Sequence, residues 1–194
     1  MEEKKTFYMS GYVGIASLLV ILIAGIGLFI YGASHTNGVL VVLGIILLVG
    51  AILFLSSLTI VSPNQAKAIL FFGRYLGTIK ENGLFITIPF TQKMNISLKV
   101  RNFNSSLLKV NDSDGNPIEI SAVIVFRVVD TAKALFNVDY YQDFVEIQSE
   151  TAIRHVATQY PYDTFSDNDV TLRGNTEQIS EELTKELQER LAVA

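Results

Sequence analysis

His155 is the side chain of this sequence that is best suited to transfer a proton near neutral pH. A metal site would need further ligands, but the sequence has no cysteine, and its only other histidine, His35, is distant in the chain. The sequence also lacks the Gly-x-Ser-x-Gly motif that would supply a nucleophilic serine. We therefore expect no catalytic residue, no metal and no cofactor. A membrane-anchored hydrolase that uses His155 with a nearby serine or acid is the enzymatic alternative.

Asp112 and Asp114 lie in a polar loop, residues 111–117, that resembles the start of a calcium-binding loop. An EF-hand needs glycine at its sixth position and a bidentate glutamate at its twelfth. Counted from Asp112, those positions hold Pro117 and Val123. The sequence Asp114-Gly115 instead predicts a tight turn between two β-strands.

The charged residues argue against one class of partner. The chain carries 19 acidic and 15 basic side chains, which gives a formal net charge of −4. Both signs are interspersed, without a basic stripe that could neutralise phosphates. We expect no nucleic-acid partner.

The N-terminal third is predicted to be a transmembrane hairpin. No Asp, Glu, Lys or Arg occurs between Lys5 and Lys67. Residues 11–31 and 39–58 each provide about 20 apolar or small residues, enough to cross the hydrocarbon core as a helix. The short polar break between them predicts a tight turn, so residues 11–58 follow a short N-terminal tail, residues 1–10. A cleaved signal peptide is the alternative, but the first run exceeds the roughly 7–15 apolar residues of a signal core.

Basic residues near the ends of the spans predict the orientation. Lys4 and Lys5 precede the first span, Lys67 and Arg74 follow the second, and the turn has no basic residue. Because basic residues favour the cytoplasmic side, both ends are predicted to face the cytoplasm. We expect a multi-pass protein of the plasma (inner) membrane with a cytoplasmic soluble domain.

The remaining sequence predicts a mixed α/β domain. A short apolar run at residues 66–72 and period-two patterns at residues 84–88, 95–110 and 118–128 predict strands. The last two are expected to pair as a hairpin, with a phase shift near Phe103 in the first of them. Helices are predicted for residues 130–136, with an Asp130-Thr131 cap, and for residues 141–160, ended by Pro161. Strand patterning gives Phe71, Phe72, Phe85 and Phe90 places in the core. The alternative is a lipid-binding module that presents these four aromatic side chains to the bilayer.

The C-terminal segment, residues 173–194, is predicted to be an amphipathic helix. One face carries apolar residues at every fourth position: Ile179, Leu183, Leu187 and Leu191. This face could pack on the helix's own sheet or between copies of the chain, where it would serve as an oligomerisation helix. Since the pattern continues to the last residues without a glycine cap, we expect the native helix to be longer.

Several motifs in residues 61–90 occur at a spacing that resembles one known family. They are Pro63-Asn64-Gln65, Gly73 with Tyr75, Gly77, Gly83 and Pro89-Phe90. The segment and its continuation to the C-terminus resemble the SPFH, or band 7, domain of stomatins, prohibitins and flotillins. The expected fold class is therefore α+β: an N-terminal two-helix transmembrane hairpin, a mixed α/β SPFH domain at residues 61–172 and a C-terminal amphipathic helix.

The resemblance implies a function. Members of this family oligomerise at the membrane through a helix that follows the domain, organise membrane microdomains and regulate other membrane proteins, including AAA proteases. Their shared motif contains no catalytic residue. We therefore expect a non-enzymatic scaffold whose partners are membrane lipids, further copies of the chain and a membrane protease or other membrane protein. The two spans and the missing coiled coil depart from the family pattern.

Overall fold

The computed structural model describes residues 3–164 and 170–193. The first two residues of the predicted tail, residues 165–169 of the predicted domain and the last residue of the predicted C-terminal helix lie outside this description. The chain forms two compact units, one that ends at Leu98 and one that begins at Lys99.

The first unit contains the two apolar helices and six strands. Its elements are β1 (Met9–Ser10), α1 (Gly11–Ser34), α2 (Gly38–Leu55), β2 (Leu58–Val61), β3 (Gln65–Phe71), β4 (Arg74–Ile79), β5 (Gly83–Ile86) and β6 (Thr91–Ser97). The strands form two antiparallel sheets, with the orders β1-β5-β2 and β4-β3-β6. A small core of Val61, Ile69 and Ile79 lies between them.

The hairpin of apolar helices is confirmed, with shifted ends. Helix α1 continues three residues beyond the predicted position 31, and the side chain of Asn37 accepts a hydrogen bond from Val39 N–H at the start of α2. Helix α2 ends at Leu55, before the predicted position 58, because Leu58 already pairs with Ile86 in a sheet.

Three short strands were not predicted. β1 and β2 adjoin the apolar helices, so their sequences read as parts of the tail and of the second span. The strand patterning does not predict β4, because Gly77 within it is unfavourable in a strand interior. The N-terminal tail is also ordered: Lys5 bridges to Thr78, and Thr6 is buried.

The second unit contains four strands and three helices. They are β7 (Arg101–Asn104), β8 (Leu108–Asn111), β9 (Pro117–Ile120), β10 (Val123–Phe126), α3 (Thr131–Phe136), α4 (Tyr141–Ala157) and α5 (Thr176–Leu191). β7 pairs with β10 and β8 pairs with β9, both antiparallel. The predicted hairpin is thus confirmed, but it is split into two ladders whose registers differ by one residue. The break lies near Ser105, slightly after the predicted position at Phe103.

The helices of the second unit begin close to the predicted positions. The Asp130 carboxylate accepts from Lys133 N–H and so caps α3, as its sequence predicted. α4 ends at Ala157, three residues before the predicted end, and α5 ends at Leu191. The architecture of two apolar helices, a mixed helix and sheet domain and a C-terminal helix confirms the predicted α+β fold class. The domain boundaries at 61–172 and 173–194 stay predictions.

Candidate membrane and assembly surfaces

The two apolar helices turn most of their surface away from the protein. In the most apolar stretch of each helix, only 17% of the α1 residues and 11% of the α2 residues are buried. Ile23 and Ile52 are 71% and 65% exposed. A core helix of a soluble protein would bury such side chains, whereas hydrocarbon would solvate them. Both helices are long and apolar enough to cross a membrane.

Glycines let the two helices approach each other closely. A Cβ atom added at Gly44 of α2 would lie 2.7 Å from Phe29 N and 2.9 Å from Gly25 O of α1. Gly27 and Gly50 have nothing within 4 Å of a built Cβ. In lipid, where association depends on close packing, Gly25 and Gly44 therefore hold the hairpin together.

The C-terminus of α2 is joined to the sheet by a lysine. Lys93 of β6 donates hydrogen bonds from Nζ to the carbonyl oxygens of Ser56 at 2.8 Å and Leu58 at 2.7 Å. A cation is favourable at a helix C-terminus, where the last carbonyl groups lack intrahelical partners. Desolvation, and secondarily the charge of Lys67, lower the pKa of Lys93 below its usual value.

Two phenylalanines project from turns beside this junction. Phe72 is 82% exposed and Phe90 is 57% exposed, and both have positive φ angles, 46° and 60°. Phe71 pairs with Thr91. Phe72, which follows Phe71, and Phe90, which precedes Thr91, therefore lie at the same end of the β4-β3-β6 sheet. Phe90 N lies 3.5 Å from Ser56 Oγ, next to the end of α2. The core position expected for Phe72 and Phe90 is wrong, because their turns point them outward. Phe71 and Phe85 are partly buried.

The residues of the family motif shape the turns of the first unit. Asn64 follows Pro63 in the turn before β3 and adopts a φ of 55°, and its carbonyl oxygen accepts from Leu98 N–H at 2.9 Å. Gln65 begins β3 opposite Ser97. Gly73 forms the tight β3–β4 turn with a φ of 83°.

The other motif residues lie along β4 and β5 and in the turn after β5. Tyr75 Oη lies 2.7 Å from Thr78 Oγ1, and Gly83 pairs with Val61 at the start of β5. A Cβ atom at Gly77 would lie 2.5 Å from Thr6 N, so only glycine lets the N-terminal tail pass over β4. Pro89 precedes the exposed Phe90. In the described fold these residues lie in turns and strands, and their structural role as family-motif positions stays a prediction.

The apolar face of α5 lies within its own unit. Leu187 is 7% exposed, while Ile179, Leu183 and Leu191 are partly buried, and α5 packs along α4. On the neighbouring face, Glu186 pairs with Arg190 at 2.6 Å, one helical turn apart. Lys133 Nζ also donates to Ala192 O and so holds the helix end near α3. A role of α5 between copies of the chain stays a prediction.

His155 lies on the surface of α4, where its side chain has two polar neighbours in the described part of the chain. Its Nε2 atom is 3.1 Å from Gln159 Nε2 and 4.0 Å from Glu186 Oε1. These are its side-chain contacts within residues 3–164 and 170–193. Glu186 is an acid of the kind that the hydrolase alternative needs, but its carboxylate is already paired with Arg190 at 2.6 Å.

The Asp112 carboxylate is occupied mainly by hydrogen bonds from backbone N–H groups. Its carboxylate accepts from the N–H groups of Tyr162, Asn116 and Asp114 and from the Asn116 amide. The hydrogen bond from Tyr162, with those from Asn116 and Asp114, lowers the pKa of Asp112 against the opposing effect of burial. This side chain connects the β8–β9 turn to the segment after α4. The acidic residue at this position therefore has a structural role in the loop. No cluster of three or more potential ligands occurs in the described part of the chain.

An open groove of about 690 Å³ runs along β10 in the second unit. One wall is formed by residues 122–130, which include β10. The other wall is formed by residues of α3 and α4 and by the face of α5 that carries Leu183, Leu187 and Leu191. Sequence reasoning missed both this groove and the Lys93 junction. The uncharged run Val123–Phe126 was the available signal for the groove.

Comparison with known proteins agrees with this architecture. The sequence model of the SPFH domain / Band 7 family matches residues 59–193. A stomatin homologue of Pyrococcus horikoshii is 30% identical over 144 residues, which cover 74% of this chain and 54% of that protein. A stomatin homologue of Pyrococcus abyssi is 30% identical over 141 residues, 72% of this chain and 52% of that protein. Stomatin-1 of Caenorhabditis elegans is 26% identical over 98 residues, 50% of this chain and 30% of that protein. The chain spans about half the length of the two archaeal relatives.

Proposed function

Because this chain belongs to the SPFH domain / Band 7 family, we propose that it is a non-enzymatic scaffold that oligomerises at the membrane and confines or regulates partner membrane proteins. Stomatin-like relatives support membrane association and a scaffold-type role, and the family is generally non-enzymatic. The finer proposals are the organisation of membrane microdomains and the regulation of a membrane protease of the AAA type.

The observation that carries the proposal is the direct packing of the apolar hairpin on the family domain. Gly11 and Gly14 at the start of α1 contact Leu84 and Ile86 of β5, and Lys93 binds the end of α2. A flexible linker would leave the domain free to move away from the bilayer. Here the apolar helices and strands β1 to β6 form one compact unit, so the part of the domain up to Leu98 is held beside the membrane.

The decisive experiment measures the size of the full chain in mild detergent, with crosslinking in native membranes as its complement. We expect particles that contain several 21.5 kDa chains, and crosslinked species that include other membrane proteins. Mass spectrometry would identify the captured proteins. A strictly monomeric chain under both conditions contradicts the scaffold proposal. Replacing His155 by alanine distinguishes the scaffold from the enzymatic alternative, because the scaffold proposal expects assembly to be unchanged.

The proposed topology has two spans with both ends in the cytoplasm. Because the sequence lacks cysteine, single reporters can be introduced at Thr36 in the turn between the helices and at the exposed Lys109. A membrane-impermeant maleimide should label Thr36→Cys in intact cells, and Lys109→Cys only after permeabilisation. The reverse pattern contradicts the orientation, and labelling of both positions in intact cells contradicts the cytoplasmic location.

A second role, lipid contact by the domain itself, is favoured by the exposure of Phe72 and Phe90 at the end of α2. Apolar side chains that project beside a transmembrane helix can insert into the interfacial region of the bilayer. This contact would add to the anchor and fix the tilt of the domain. It is compatible with the scaffold role.

A further inference from the structure

Strand β10 presents an unpaired apolar edge. Its four residues, Val123–Phe126, are all apolar, and within the described ranges β10 pairs with β7 alone. Val123 and Val125 are 67% and 63% exposed. Soluble proteins usually protect an edge of this kind with charges, proline or a covering element, because its free N–H and C=O groups are a template for another strand. Arg127, one residue past the strand, is the nearest charge on this segment.

The register of the ladder identifies the groups on the free edge. Ser105 N–H donates to Ala122 O at 2.9 Å, so Ser105 and Ala122 form a hydrogen-bonded pair. Such pairs alternate along an antiparallel ladder, which turns the N–H and C=O groups of Val123 and Val125 away from β7. No residue in the described part of the chain bonds to these groups.

The free edge also has room beside it. The groove of about 690 Å³ lies along β10 and separates it from α5. An added strand would lie about 4.8 Å from β10, along its free edge. The inward-facing side chains of such a strand would cover the apolar wall that Leu183 and Leu187 contribute.

We propose that this edge is an interface between copies of the chain, in which β10 of one copy pairs antiparallel with β10 of another. The inference rests on the proposed scaffold function, since it supplies the surface through which copies assemble. A two-fold axis at Ile124 places Val123 of one copy opposite Val125 of the other and vice versa. Both are hydrogen-bonded pairs in this register, so the four outward groups of each strand are satisfied.

The strand's own sequence identifies the occupant. In this register, apolar residues face apolar residues throughout Ala122–Phe126, and Arg127 of each copy lies opposite Ser121 rather than opposite another charge. A register centred on Val125 would instead set Arg127 against Val123. β10 is thus complementary to itself, and pairing would continue the two-stranded sheet into a four-stranded one.

Cysteine crosslinking of the full chain in native membranes tests the register. Ile124 lies on the axis in a non-hydrogen-bonded pair, whose Cα atoms are about 4.5 Å apart and can be joined by a disulfide. We expect Ile124→Cys to form disulfide dimers under mild oxidation. Ile147→Cys on α4, a position that is 60% exposed, should form several-fold fewer. Equal crosslinking of the two variants, or capture of a different protein by Ile124→Cys, overturns the proposal.

A charge placed on the edge of β10 provides a second test, which does not depend on the efficiency of disulfide formation. Val125→Lys keeps an exposed side chain on the folded chain but sets a desolvated charge against Val123 of the other copy. We expect a loss of at least half of the oligomeric fraction in mild detergent, with an unchanged melting temperature. The matched change Ile147→Lys should leave the fraction unchanged. Oligomers that survive Val125→Lys overturn this interface but leave the scaffold function standing, whereas a monomeric unmodified chain overturns both.

Discussion

Lys93 Nζ lies 2.8 Å from the carbonyl oxygen of Ser56, the residue that follows the last residue of α2. The same ammonium group donates to Leu58 O at 2.7 Å, in the first residue of β2. One side chain from β6 therefore satisfies the carbonyl groups on both sides of the step from apolar helix to sheet. This junction couples the membrane anchor to the family domain.

Replacing Lys93 by methionine should loosen that junction. Methionine keeps most of the aliphatic chain but cannot donate, so two carbonyl groups at the edge of the apolar region lose their partner. We expect a loss of about 1–3 kcal/mol in the free energy of unfolding, measured by denaturant titration of the protein in detergent. Lys109→Met is the matched control, because that side chain is 83% exposed and makes only a 3.5 Å surface ion pair with Glu119. Equal effects of the two changes contradict this role.

Asp112 predicts a pH dependence of stability. Its pKa is lowered in the folded chain by the hydrogen bond from Tyr162 and by those from Asn116 and Asp114. Between the folded pKa and the unfolded value of about 3.9, the unfolded chain binds more protons, so stability rises with pH. The contribution is fully present above about pH 4 and is lost as pH falls through the folded pKa. Thermal melts should show this loss for the unmodified chain and a shallower acid slope for Asp112→Asn. Identical slopes contradict the assignment.

Much of the fold follows from local sequence. Sixty-one residues from Thr6 to Ala66 carry no formal charge, and the two longest apolar stretches among them predict the helices α1 and α2. Asp130 caps α3 because a carboxylate before a helix is a local signal. The phase shift in the strand pattern marked the break between β7 and β8 to within a few residues.

The features that sequence did not predict depend on distant partners. Lys93 contacts residues more than thirty positions earlier in the chain, and no local sequence pattern predicts such a distant contact. Gly77 lies within β4, where glycine is unfavourable, because the N-terminal tail passes close over it. Phe72 and Phe90 fit the strand pattern, but positive φ angles in two tight turns direct their side chains outward.

The hairpin provides a test with an internal control. A side chain at Gly44 would collide with the backbone of α1 at Phe29 and Gly25, whereas Gly50 on the same helix has open space. We expect Gly44→Leu to cost about 1–3 kcal/mol or more, since the two helices must separate. Gly50→Leu should be nearly neutral. Protease resistance of the membrane-inserted chain would report the difference, and equal resistance of the two variants contradicts the packing.

The aromatic end of the first unit should touch the bilayer, and depth-dependent quenching can measure this contact. A dye attached to Phe72→Cys in the full chain, reconstituted with lipids brominated near the headgroup, should be quenched severalfold. A dye on Asn82→Cys serves as the control, because that exposed residue precedes Gly83, which pairs with Val61. β2 runs from Leu58, near the end of α2, to Val61, which places Asn82 about 10 Å along the strand from that helix end at roughly 3.3 Å per residue. Stronger quenching at Asn82 than at Phe72, or none at either, contradicts lipid contact, whereas the expected gradient orients the whole unit on the bilayer.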